Sequence, residues 1–144
     1  MPTVPVIAAG GIATPAGVAA AKALGAAAVQ IGTAYLCSHE ATTSALHRAA
    51  LQSSAAQHTA LTNLFTGRPA RGIVNRIMRE LGAMHLQAPA FPLATADMAP
   101  LRAAAETQGS SDFTPLWAGQ NTSGCRTAAA ADITRDFLNA WRAV

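Results

Sequence analysis

Two short glycine-containing segments carry the residue types that best suit ligand binding in this sequence. Gly10-Gly11 and Gly32-Thr33 each follow an apolar run, and Gln30-Ile31 directly precedes the second pair. Glycine lets a backbone N–H approach an anion without a Cβ in the way, and the start of a following helix adds partial positive charge. The pattern predicts a phosphate-binding site made of main-chain amides, with binding residues Gly10, Gly11, Gln30, Ile31, Gly32 and Thr33.

The two segments sit one βα unit apart, which is the spacing that brings strand ends side by side in a parallel sheet. Val4–Ala9 and Ala27–Ile31 are short apolar runs that predict strands. Between them, Thr14-Pro15 supplies an N-cap and a first-turn proline for a helix that Gly25 ends. The alternative is that both glycine segments are only tight turns that leave a strand.

The predicted strands are apolar at nearly every position, as parallel strands covered on both faces are. Two such strands cannot cover themselves. An eight-unit barrel needs about 250 residues, whereas this chain has 144. We therefore predict an α/β protein in which residues 1–57 are the last two βα units of a TIM (β/α)₈ barrel and residues 58–144 are a helical and loop segment that packs beside it and returns to it. On this interpretation the chain is part of a longer protein, and the alternative is that it needs a partner.

The remaining elements are predicted mainly from helical spacing of apolar residues. Thr42-Thr43 is expected to cap a helix through about Gln52, and residues 59–65 are expected to be extended. Gly72–Leu81 predicts a helix that Gly82 ends, and further helices are expected at about residues 99–107 and 128–143. Residues 109–124 are predicted to be a loop.

Charge and composition exclude several classes of protein. The net charge of +3 from ten basic and seven acidic residues is too small to indicate nucleic-acid binding. The first charged residue is Lys22, but prolines and glycines interrupt the preceding apolar stretch and no basic n-region is present, so neither a signal peptide nor a membrane span is expected. A cytoplasmic protein is predicted, with Cys37 and Cys125 as free thiols.

The other candidate residues do not form recognisable sites. The histidines lack metal-ligand spacing and the acidic residues form no acid–base pair, so no metal or catalytic residue is assigned. The arginines Arg68, Arg71, Arg76 and Arg79 predict a solvated face that bonds to carbonyls and acids, with a basic binding module as the alternative. Trp117 and Gln120 either line a ligand site or anchor a loop.

Three blocks of the sequence resemble one enzyme family. Pro5–Ile12 (PVIAAGGI) followed by Val29–Thr33 (VQIGT) resembles the FMN phosphate signature of nitronate monooxygenases, once called 2-nitropropane dioxygenases. Phe65–Gly72 (FTGRPARG) with Asn75-Arg76 is similar to a second block of that family. Leu116–Gln120 (LWAGQ) is similar to a third, and the blocks occur in family order.

The resemblance implies an FMN-dependent enzyme that oxidises alkyl nitronates, such as propionate 3-nitronate, with O₂ to release nitrite and a carbonyl product. On matched positions, Gly11 and the residues from Gln30 to Thr33 are expected to bind the FMN phosphate, with Gly10 shaping the first turn. The family's flavin-ring contacts and active-site histidine lie mostly on earlier strands, and no residue here matches them. A flavin-dependent enoyl reductase of the related barrel family and a non-catalytic fragment without flavin are the alternatives.

Overall fold

The structure is a computed structural model and describes residues 4–144. Along these residues the elements are β1 (Ile7–Ala9), α1 (Pro15–Ala23), β2 (Ala28–Gln30), a 3-10 turn (Thr33–Tyr35), α2 (Ala45–Leu51), a second 3-10 turn (Ser54–Gln57), β3 (Thr59–Thr62), β4 (Ala70–Ile73), α3 (Arg76–Leu81), α4 (Leu93–Thr107) and α5 (Ala130–Arg142). They form two compact units, residues 4–43 with 121–144 and residues 44–120. The predicted division into residues 1–57 and 58–144 describes how the chain would fit into a complete barrel, and it stays a prediction.

The first unit contains the predicted βαβ arrangement. Its strands β1 and β2 pair in parallel, with Ile7 opposite Ala28 and Ala9 opposite Gln30. Between them α1 begins as expected, because the Thr14 hydroxyl oxygen accepts a hydrogen bond from the Gly17 N–H at 3.2 Å. The α/β class and this unit are therefore confirmed, although the sheets within residues 4–144 are two separate pairs that do not close into a barrel.

The core of the first unit forms where α5 packs on α1. Ile133 and Phe137 recur every four residues on α5, so they lie on one face, and both are buried. They join Val18 of α1 with Ala13 and Ala34 in a single hydrophobic cluster. The amphipathic pattern of the last predicted helix is confirmed. The helix begins two residues later and ends one residue earlier than expected.

The strands of the first unit are less covered than their composition suggests. Ile7 of β1 is 59% exposed, and Val6, whose carbonyl accepts from the Ala27 N–H at 2.8 Å, is 64% exposed. Exposing apolar strand residues leaves hydrophobic surface in water, which is unfavourable. This agrees with the expectation that two such strands cannot cover themselves.

The second unit corrects one predicted helix. Gly72 and Ile73 belong to β4, which pairs antiparallel with β3, so that Thr59 lies opposite Ile73; helix α3 begins only at Arg76. The apolar spacing from Ile73 onward resembles a helix, but the Ile73 N–H donates to the Leu116 carbonyl at 2.8 Å, a partner 43 residues away in sequence. Long-range pairing decides the conformation here. The predicted helix end at Gly82 is confirmed.

Two other helix starts differ from prediction. Ser44 caps α2 by accepting from the His47 N–H, whereas the sequence predicts Thr42-Thr43 as the cap. Helix α4 begins at Leu93 and contains Pro100, although a proline inside a helix costs about 3 kcal/mol. Burial of Ala94 and a 3.0 Å hydrogen bond from the Thr95 hydroxyl to the Phe65 carbonyl stabilise the turns ahead of that proline.

The helices of this fold are short or interrupted by polar residues, whereas a membrane span needs about 20 mostly apolar residues. Across residues 4–144, no helix is both long and apolar enough to cross a bilayer.

Candidate functional site

The two predicted phosphate turns lie side by side in the first unit. Strand β1 ends at Ala9 and β2 ends at Gln30, and these two residues face each other in the parallel register. The next residues along the two strands are Gly10-Gly11 and Ile31-Gly32. They therefore leave the sheet at the same edge, the one formed by the carboxyl ends of both strands. This adjacency is the geometric condition for two strand ends to share one anion.

The glycines have the backbone conformations and the open space that a close ligand requires. Gly10 and Gly11 have φ of +87° and +71°, in the left-handed region that favours glycine. Gly32 has φ of −114°, which other residues can adopt. A Cβ placed on any of the three would meet no atom within 4 Å. The main chain is thus accessible at three points along this edge.

A helix and a 3-10 turn begin close to this edge. Helix α1 starts at Pro15, four residues after Gly11, and the 3-10 turn starts at Thr33, where the Tyr35 N–H donates to the Gly32 carbonyl at 3.0 Å. The side chain of Gln30 is exposed and that of Thr33 is half-buried. Binding of an anion by these residues stays a prediction.

A segment that the sequence did not mark as functional packs against Ala13, two residues after the first turn, and against Thr33 of the second turn. Gly124 lies directly on the carbonyl oxygen of Ala13, and the Cys125 thiol donates to the carbonyl oxygen of Thr33 at 3.2 Å. These residues fall in or beside the predicted loop, and the second contact joins positions 92 residues apart. No local signal in the sequence could have identified them.

A largely apolar cavity of about 680 Å³ lies beside β2 in the same unit. Its lining includes Ile7, Val29, Phe137 and Trp141, while its polar groups include Gln30 and the Tyr35 hydroxyl, which bonds the Thr134 hydroxyl at 2.8 Å. Gly10, Gly11 and Gly32 do not line it. Its walls suit hydrophobic packing better than recognition of a phosphate.

The remaining candidates are structural groups of the second unit. The His47 imidazole is half-buried with Nε2 3.0 Å from the Trp117 carbonyl oxygen, and burial lowers its pKa although that hydrogen bond opposes the shift. Trp117 packs edge-to-face on Phe65, with ring centroids 5.6 Å apart. Of the two roles considered for Trp117, lining a ligand site or anchoring a loop, this contact supports the anchoring of a loop. Gln120 is exposed. In the part of the chain that the structure describes, no group of three or more His, Cys, Asp or Glu residues could hold a metal ion.

The arginine cluster behaves as a solvated face with local partners. Arg76 pairs with Glu80 at 2.7 Å, Arg71 donates to the Thr59 carbonyl at 3.1 Å, and Arg79 donates to the Val74 carbonyl at 3.4 Å. Arg68 stacks over the Phe91 ring at 4.6 Å. The interpretation as carbonyl- and acid-bonded groups is confirmed for Arg71, Arg76 and Arg79, whereas Arg68 packs on an aromatic ring.

Comparison with known proteins identifies the family. The family model for nitronate monooxygenase matches residues 2–139. The chain belongs to the nitronate monooxygenase family. That family is FMN-dependent and acts on nitronates with O₂.

Individual relatives agree with the family assignment. The chain is 38% identical over 141 residues to a nitronate monooxygenase of Pseudomonas aeruginosa and 39% identical over 137 residues to a probable nitronate monooxygenase of Bacillus subtilis. These alignments cover 97% and 95% of this chain, but only 40% and 39% of the two relatives. The chain thus spans about two fifths of the length of the curated relatives it matches.

Solved structures show the same partial correspondence. Nitroalkane oxidase from Streptomyces ansochromogenes matches 97% of this chain with a TM-score of 0.85 and 39% identity, over 40% of its own length. FabK from Thermotoga maritima matches 98% of this chain with a TM-score of 0.73 and 29% identity, over 45% of its own length. The fold is therefore a mixed α/β arrangement that corresponds to part of these TIM-barrel enzymes.

Proposed function

We propose that this chain supplies the FMN-phosphate end of a nitronate monooxygenase that oxidises alkyl nitronates, such as propionate 3-nitronate, with O₂. Nitrite and a carbonyl compound are the products. The observation that carries the proposal is the parallel register of β1 and β2, which brings Gly10-Gly11 and Gly32-Thr33 to one edge. Membership of an FMN-dependent family supports FMN as the ligand at that edge.

The residues present fit a flavin phosphate. Three glycines at this edge have open space where a side chain would begin, so phosphate oxygens can reach the backbone N–H groups. Gly11, Gly32 and Thr33 are the proposed amide donors, Gly10 shapes the first turn, and Gln30-Ile31 leads the chain into the second. Charge-assisted hydrogen bonds of this kind contribute about 1.5–3 kcal/mol each.

The role of this chain within the complete enzyme follows from the residues that it contains. Bound FMN would supply the oxidation of the nitronate and the reduction of O₂. The residues of this chain would hold the phosphate and so orient the cofactor. Binding the phosphate costs less free energy when the amides are already in place. The flavin-ring contacts and the base are proposed to come from the part of the relatives that this chain does not cover.

The same proposal gives the unit its place in a complete fold. Strands β1 and β2 would be the last two strands of a (β/α)₈ barrel, with the remaining strands pairing along their free edges. Exposed Val6 and Ile7 would then face neighbouring elements instead of solvent. Phosphate binding after the last strands is common in such barrels.

Flavin titration of the purified chain tests the proposal. FMN fluorescence is recorded against increasing protein, with riboflavin, which has the same ring but no phosphate, as the matched control ligand. A change with FMN that is weaker with riboflavin supports the phosphate site. Unchanged FMN fluorescence up to high micromolar protein indicates a non-catalytic remnant without flavin.

The reaction is tested on the complete enzyme that contains this chain. Nitrite release and O₂ consumption with propionate 3-nitronate, without any nicotinamide, are the expected results. A requirement for a nicotinamide cofactor would instead favour the flavin-dependent enoyl reductase.

A further inference from the structure

The segment Asn121–Arg126, here called the returning segment, brings the chain back to the first unit, where it contacts Ala13 and Thr33. It holds a defined shape of its own. The Asn121 carboxamide oxygen accepts hydrogen bonds from the Ser123 N–H at 3.0 Å and from the Ser123 hydroxyl at 2.6 Å, and the Cys125 N–H donates to the Thr122 carbonyl at 3.0 Å. The segment is therefore a fixed turn.

The segment is also tied to the helix that follows it. Arg126 forms an ion pair with Asp136 of α5. Just beyond it, the Ala130 N–H donates to the Glu40 carboxylate at 2.9 Å, and the Ala128 carbonyl accepts from the His39 N–H at 3.0 Å. Helix α5 is held by the buried side chains on its inner face. The returning segment is thus anchored to the core of the unit.

At Ala13, just after the first turn, the contact is steric. A Cβ on Gly124 would overlap the carbonyl oxygen of Ala13 and would come within 3.2 Å of the Ala13 Cβ. Ala13 is buried and lies two residues after Gly11. Only glycine therefore permits this approach, and any larger residue must displace either the segment or the chain that leaves Gly11.

At the second turn the contact is a hydrogen bond. The Cys125 thiol donates to the Thr33 carbonyl oxygen at 3.2 Å and lies beside the buried thiol of Cys37. Burial, with a contribution from Cys37, raises the pKa of Cys125 to about 11, so the thiol keeps its proton at neutral pH and stays a donor. The carbonyl that it holds belongs to Thr33, whose N–H is a proposed phosphate donor.

We propose that Gly124 and Cys125 are positioning residues that hold the two phosphate turns at the spacing FMN requires. The inference rests on the proposed function for its ligand, and on these two contacts for its geometry. One anchored segment contacts both Ala13, just after the first turn, and Thr33 of the second turn, so a change at position 124 or 125 should alter both strand ends at once. It should weaken the recognition of the phosphate and leave the recognition of the flavin ring unchanged.

The first test compares Gly124→Ala with Gly17→Ala, a matched control in the same unit, with both substitutions made in the complete enzyme that contains this chain. A Cβ at Gly17 makes only ordinary contacts, the nearest being 3.5 Å from the Thr14 hydroxyl oxygen. Gly124→Ala should reduce the ratio of riboflavin Kd to FMN Kd by about tenfold or more, the value of one charge-assisted hydrogen bond. Gly17→Ala should leave that ratio unchanged.

The second test keeps the inference falsifiable if Gly124→Ala does not fold. Cys125→Ala removes the donor to Thr33 and should lower the same ratio, while Cys125→Ser restores a hydroxyl donor and should recover part of it. Cys37→Ala removes the neighbouring thiol but keeps the Cys125 donor, and serves as the control. A simple loss of stability would weaken FMN and riboflavin binding equally, which would overturn the positioning role.

Amide hydrogen exchange without flavin distinguishes a failure of this inference from a failure of the phosphate site. Gly124→Ala and Cys125→Ala should speed exchange in residues 10–14 and 32–36 relative to Gly17→Ala. If exchange and ligand preference both match the control while the wild type prefers FMN, positioning is wrong and the phosphate site stands. If the wild type shows no preference for FMN but the variants exchange faster, the phosphate site is wrong and the coupling of the turns stands.

Discussion

Replacing Gly32 by alanine should separate the stability of this protein from its affinity for FMN. Gly32 has φ of −114°, and a Cβ there meets no atom within 4 Å. The variant should therefore fold without strain. Because alanine restricts the unfolded chain more than glycine does, Gly32→Ala should raise the free energy of unfolding by about 0.4–1 kcal/mol.

The alanine methyl group at position 32 occupies the space through which a phosphate oxygen would approach the backbone. Losing one charge-assisted hydrogen bond of about 1.5–3 kcal/mol weakens FMN binding by roughly 10- to 150-fold. Riboflavin affinity should not change, because riboflavin carries no phosphate. The prediction is thus a variant that is at least as stable as the wild type and yet has lost most of its preference for FMN.

Gly11→Ala is the matched comparison at the neighbouring turn. Gly11 also has open space where a Cβ would lie, but its φ of +71° costs an alanine about 1–2 kcal/mol. This variant should lose both stability and FMN preference, with a melting temperature lower by roughly 3–6 °C.

The assays are thermal unfolding of the chain by circular dichroism and, in the complete enzyme that contains it, fluorescence titration with the two flavins. Wild-type FMN affinity in Gly32→Ala, at unchanged stability, would refute the assignment of Gly32 to the phosphate. Equal losses of FMN and riboflavin affinity would show that the substitution disturbs the whole binding surface instead.

Three further predictions follow from individual contacts. Because its pKa is raised to about 11, Cys125 should react with iodoacetamide at pH 7.5 about 100-fold more slowly than an ordinary thiol, and mass spectrometry of the labelled chain would show rapid labelling if this is wrong. The lowered pKa of His47 contributes stability to the folded chain that is fully present above the ordinary histidine pKa near 6.5. This contribution is lost as the pH falls from 6.5 towards the folded-state pKa of His47. The reason is that the unfolded chain then binds the proton more readily than the folded chain does. In urea titrations at pH 8.0 and 5.5, the wild type should lose more stability on acidification than His47→Gln, and parallel losses would contradict this. Asn75 is buried and donates to the Thr114 carbonyl at 2.9 Å and the Ser111 carbonyl at 3.2 Å, so Asn75→Ala should cost about 2–3 kcal/mol and Asn75→Asp, which turns a carboxyl oxygen towards those carbonyls, should cost more. Equal unfolding free energies for the two variants at pH 7 would disprove that explanation.

The sequence alone determined the features that depend on neighbouring residues. Thr14-Pro15 specified the start of α1 because a hydroxyl cap and a fixed proline φ act within one turn. The four-residue recurrence of Ile133 and Phe137 specified the buried face of α5 for the same reason. Apolar runs that stop at glycine located both β strands of the first unit, and from their spacing the adjacency of the two turns could be predicted.

Only the tertiary structure decided the features that depend on distant residues. Residues around Ile73 have helical spacing, yet pairing with Thr59 and Leu116 makes them a strand. Gly124 and Cys125 have no local pattern, because their roles arise from contacts with Ala13 and Thr33 about 90 to 110 residues earlier in the sequence. Local propensities of a few tenths of a kcal/mol per residue are outweighed by such long-range hydrogen bonds and close packing.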